Sequence, residues 1–113
     1  MEVLVLAVLF DDDLEWWIQG RVLSHVMRLV PADVAAVDEF DEWLSPGRAM
    51  GYLDIRKIED PEAAKRFVRA LSVGAHRALE ETQEQEPADE EMVEFYRGLC
   101  RTVDKAVRLP RFL

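Results

Sequence analysis

The chain has 113 residues, half of them apolar and a third charged, with a formal net charge of −9. That is enough for one globular domain with its own core, and it excludes a disordered chain. The negative balance argues against nucleic acid or an anionic membrane as partner, because both repel an acidic body.

Residues 3–10, VLVLAVLF, form a Val- and Leu-rich run that stops at polar residues, the pattern of a strand buried on both faces. It is too short to span a bilayer and no basic segment precedes it. With Cys100 as the single cysteine, a cytoplasmic location is expected. From Asp13 to Val30 the residues Leu14, Trp17, Ile18, Val22, Val26 and Leu29 recur at intervals of three and four, which predicts an amphipathic helix ended by Pro31. The alternative is one helix from Glu2 to Val30, which would make the whole chain an all-α bundle. Asp33 can cap a second helix bearing Val34, Val37, Phe40 and Leu44, closed by a turn at Ser45-Pro46-Gly47. A strand over 35–43, forming a hairpin through the same turn, is the rival reading there. Residues 49–58 read as a strand. Asp60-Pro61-Glu62 is a strong helix start, and that helix runs through Thr82 until Pro87 breaks it. A last helix carries Met92, Phe95, Tyr96, Leu99, Val103 and Val107 and stops before Pro110. The expected fold is therefore α+β, a helix-rich single domain with about four helices and a small two- or three-stranded sheet.

The acids Asp11, Asp12 and Asp13 fall where the first apolar run ends. Together with Asp54 in YLDIRK they resemble the acidic pair and phosphoacceptor of receiver domains, with Thr82 and Lys105 at comparable intervals. That resemblance implies a magnesium-dependent phosphoacceptor. It covers isolated residues only, since two long helices over 61–108 leave no room for a receiver's last two strands. Asp11 and Asp13 also resemble the Asp-x-Asp of haloacid-dehalogenase-like phosphatases, without the Thr and Gly that follow in that family. The simpler reading gives Asp11 to Asp13 and Glu15 to the cap of the first helix, worth ~1–2 kcal/mol.

His25, His76 and Cys100 have no metal-ligand spacing, and no nucleophile, base and acid group together. His25 reads as half-buried and hydrogen-bonded, His76 as solvent-facing and Cys100 as a small buried hydrophobe. No metal, no cofactor and no enzymatic activity are expected.

Surfaces say more than motifs. The charge is blocked: residues 1–47 carry 2 basic and 10 acidic side chains, whereas residues 80–93 carry 0 and 7. Trp43 sits among Asp38, Glu39, Asp41 and Glu42, an aromatic within acid of the kind that engages a basic partner. On the predicted first helix, Trp16, Gly20, Leu23, Met27 and Val30 form a second apolar stripe. It belongs either to a centrally buried helix or to an interface such as a homodimer. The expectation is a small acidic binding protein that neutralises a basic protein partner through Asp38–Trp43 and Asp11–Asp13, as an immunity protein or antitoxin does to a bacterial toxin. A homo-oligomeric structural or regulatory domain is the alternative.

Overall fold

The computed structural model describes residues 5–113, the side chains of Val37 and Arg48 excepted. The described residues form four α-helices and one small mixed sheet, a helix-rich α+β fold. The elements are β1 (Val5–Asp11), β2 (Leu14–Gln19), α1 (Gly20–Arg28), α2 (Asp41–Met50), β3 (Tyr52–Asp54), α3 (Pro61–Glu84) and α4 (Glu90–Val107). Single 3-10 turns at Val37–Phe40, Ile55–Lys57 and Pro110–Phe112 lead into α2, follow β3 and close the chain. Val3 and Leu4, the first residues of the expected strand, and Glu2, the start of the rival long helix, lie outside the described residues.

The largest departure from expectation is β2. Residues 14–19 are a strand, and the helix predicted from Asp13 begins only at Gly20. The apolar spacing Leu14, Trp17, Ile18 suits a helix, but Leu14, Trp16, Ile18 is also strict alternation. Pairing with the apolar β1 decides between them, since aromatic and β-branched residues favour a pleated, half-buried surface. The hairpin sets Ile18 opposite Leu6 and Trp16 opposite Val8, facing the core. A bulge between Leu9 and Asp11 shifts the register just before the Asp12-Asp13 turn. The three aspartates therefore close a hairpin; they do not cap a helix.

β3 joins the other edge of β1 in parallel, with Ala7 beside Tyr52 and Leu9 beside Asp54. Leu6, Val8 and Phe10 point into one core with Leu23, Val26, Phe67, Leu71 and Leu99. On the opposite face of the sheet Trp17 is 60% exposed and Tyr52 41%, on either side of Ala7, and Val5 is 40% exposed one row away.

The helix predicted from Asp33 begins instead at Asp41 and runs through Pro46 and Gly47, the residues expected to turn. Its stop is Gly51, whose φ of 84° is left-handed and open to glycine at no steric cost. α3 starts as predicted: Pro61 opens it and the Asp60 side chain accepts from the Glu62 N–H at 3.0 Å. Asp89 caps α4 in the same way, accepting from Met92 N–H at 3.2 Å. α1 crosses α3 at Gly74, where a Cβ would stand 2.4 Å from the Val26 carbonyl oxygen. Across the same contact His25 Nε2 donates to the Glu81 carboxylate at 2.8 Å. His76, expected to face solvent, is exposed but engages Asp104 at 3.0 Å, tying α3 to α4. Among the described residues no helix is long and apolar enough to cross a membrane.

Candidate functional site

Two acidic regions were expected to share a binding surface, and the structure separates them. The first is the hairpin end. Asp54, at the end of β3, is buried and accepts a bidentate pair from Arg56, Nε to Oδ1 and Nη2 to Oδ2, each at 2.9 Å. The Arg56 backbone N–H adds a third bond at 3.1 Å. Hydrogen bonding from the Arg56 side chain holds the Asp54 carboxyl below its usual value of 3.8. The same guanidinium reaches across to Asp12 through Nη1, and Arg111 donates to Asp11 at 3.4 Å.

The parallel pairing of β1 and β3 thus does bring Asp12 and Asp54 to one end of the sheet. The cation between them is the protein's own arginine. Among the described residues no group of three or more His, Cys, Asp or Glu side chains could hold a metal ion. Thr82 is buried and its hydroxyl donates to the Ala78 carbonyl at 2.8 Å, within its own helix.

The second region is a groove of about 610 Å³ between α2, β3 and the start of α3. Its lining includes Glu39, Glu42, Trp43, Met50, Tyr52, Asp54, Lys57, Ile58, Glu59, Asp60 and Arg66. α2 is fixed here by aromatic stacking. Phe40 is buried, with its ring centroid 5.4 Å from Trp43 and 5.2 Å from Phe67, and Trp43 meets Phe67 edge-on at 6.2 Å. Trp43 is therefore half-buried, a wall of the groove.

Five carboxylates and two cations line the groove. Arg66 is already held by Glu39 at 2.8 Å, which raises its pKa, and Asp54 by Arg56. Glu42, Glu59 and Asp60 have no ion-pair partner among the described residues, although Asp60 caps α3. Met50, 57% exposed, adds apolar surface at the mouth.

Of the residues expected to bind a partner, Glu39, Glu42 and Trp43 come together in this groove. Asp38 and Asp41 are exposed but outside its lining, and Asp11 to Asp13 belong to the arginine-paired hairpin end. Glu59, Met50 and Ile58 were missed; the signal available was their place just before the Asp60 helix start and just before the Gly51 stop.

The expected interface stripe is mostly interior. Leu23, Met27 and Val30 are buried in the core, Trp16 packs on Phe95 of α4 at 5.6 Å, and Gly20 is the first residue of α1. The reading of that helix as central is the one the burial supports. The strand geometry also exchanges the two tryptophans: Trp16 faces inward and Trp17, assigned to the core stripe, faces out. Cys100 is buried, and burial pushes its thiol up to about 11, as for a packing residue without a nucleophile's environment.

In comparisons with known proteins, no family model, no curated protein and no solved structure matches this chain.

Proposed function

We propose that the chain is a binding protein that captures a basic protein partner and covers its cationic site, as an immunity protein or antitoxin does to a cognate toxin. The observation that carries this reading is the groove at Trp43, where three carboxylates without an ion pair among the described residues line the same cavity as a half-buried indole and an exposed methionine. Unpaired carboxylates around a concave, low-dielectric wall focus negative potential and speed the encounter with a cationic surface. The indole face then seats the stem of a lysine or the plane of an arginine, where water is excluded and a charge pair strengthens. Glu42 and Glu59 would neutralise the entering cations, while Met50 and Ile58 contribute apolar contact. A partner that uses those cations to hold its own substrate is blocked once they are engaged.

The test is binding to a basic protein encoded beside this chain in its genome, followed through tryptophan fluorescence as ionic strength rises. Association is expected to slow by about one to two orders of magnitude between low and high salt. An association rate indifferent to salt would sink the mechanism, as would a Glu42→Lys, Glu59→Lys double variant that binds at the wild-type rate.

A further inference from the structure

β2 is an edge strand, with β1 as its one neighbour in the sheet. Which of its backbone groups face outward follows from one hydrogen bond. The Ala7 N–H donates to the Gly51 carbonyl oxygen at 3.1 Å, on the β3 side of β1. A strand residue sends its N–H and C=O in the same direction, so Ala7 is turned away from its opposite number, Trp17. Trp17 in turn directs its N–H and C=O away from β1, to the open edge. Glu15, opposite Leu9 in the same unbroken register, points the same way, and so does the N–H of Gln19 opposite Val5. Among the described residues none of these groups has a hydrogen-bond partner. Edge strands are ordinarily blunted by lysine, proline, a bulge or a covering loop. β2 carries no lysine or proline, the bulge of the hairpin lies in β1, and the central side chain of β2 is the 60% exposed Trp17.

We propose that β2 pairs antiparallel with β2 of a second copy about a two-fold axis at Trp17, joining two three-stranded sheets into one. Charge order along the strand selects this occupant and this direction. β2 follows Asp12-Asp13, carries Glu15 near its start and ends at Gln19, whose side-chain oxygen accepts from Arg21 Nε at 3.0 Å just inside α1. Centred on Trp17, antiparallel pairing sets Glu15 opposite Gln19 of the second copy, and so near the Arg21 that Gln19 holds. Parallel pairing would set acid against acid. A two-fold axis normal to the sheet keeps the faces, so Trp16 meets Ile18 of the second copy on the core side. The two Trp17 rings become cross-strand neighbours on the open face. The contact is self-complementary and closes at two copies. It uses a different surface from the groove, so partner capture and self-pairing stand or fall separately.

Sedimentation equilibrium of the full chain from about 10 µM to about 1 mM tests it, a range that resolves weak self-association. The mass is expected to climb from 13.0 kDa toward twice that value. Trp17→Pro removes the central outward donor and the ring but no bond to β1, and is expected to stay monomeric with its circular dichroism unchanged. Should proline loosen the hairpin, Trp17→Lys opposes like charges across the axis and is also expected to be monomeric. A wild-type chain that remains at 13.0 kDa throughout, or a dimer that survives in a folded Trp17→Lys variant, overturns the proposal.

Discussion

The hairpin end and the groove are both rich in acid, yet they are in opposite electrostatic states. At the hairpin end Arg56 and Arg111 reach Asp54, Asp12 and Asp11, and the local charge is spent on holding β1, β3 and the C-terminal turn together. In the groove Glu42 and Glu59 have no ion pair among the described residues and are exposed beside an aromatic wall. Density of acid in a sequence therefore says little about availability. What matters is whether a cation from a distant segment arrives, and Arg56 and Arg111 arrive from 44 and 100 positions away.

The strongest perturbation acts beneath both regions. Gly74→Ala puts a methyl against the Val26 carbonyl oxygen, and because backbone must move, a loss of about 2–3 kcal/mol in urea unfolding is expected. Both regions are expected to melt together; separate transitions would show that they are independently supported. Next is Asp54→Ala, which removes the acceptor for three Arg56 bonds and is expected to cost about 1–2 kcal/mol. The pH sign is fixed by the depressed carboxyl. In the folded state Asp54 titrates below 3.8, so its contribution is whole above about pH 5 and is lost as pH falls through the folded value. The difference in unfolding midpoint between wild type and Asp54→Ala is thus expected to shrink in acid.

An effect that vanishes at neutral pH comes from Cys100. Its thiol is raised from 9.0 to about 11 by burial, so between those values the unfolded chain ionises first and stability declines as pH rises. Alkylation of the native protein at pH 8 is expected to be slow and to follow unfolding. The groove residues close the series: Glu42→Lys is expected to change stability by less than about 0.5 kcal/mol while slowing capture of a basic partner. Were Glu42→Lys as costly to the fold as Asp54→Ala, the contrast between the two regions would fail.

Much of the helical part was legible. The Asp60-Pro61 start and the long apolar stripe of α3 are local signals, and so is the repeat of α4. β2 was not, because Leu14-Glu15-Trp16-Trp17-Ile18-Gln19 satisfies both periods and only pairing with β1 chooses. The limits of α2 were misplaced because tertiary contacts of Phe40 and Trp43 with Phe67 sustain a helix across Pro46, against its local preference. At the candidate site, Glu39, Glu42 and Trp43 could be proposed from their clustering. The pairing of Asp11 and Asp12 could not, since nothing near them in the chain announces Arg56 or Arg111.

The two neighbours of β1 differ greatly in how far along the chain they lie. Trp17 is 10 positions from Ala7, whereas Tyr52, on the other side, is 45 away. A hairpin of that span closes in microseconds, but the parallel strand must wait until the intervening helices have shortened the loop. The groove is built on β3 and α2, so it is expected to be completed late in folding and to open first. Amide exchange would then be faster at Leu53 than at Val8, its neighbour in the same sheet.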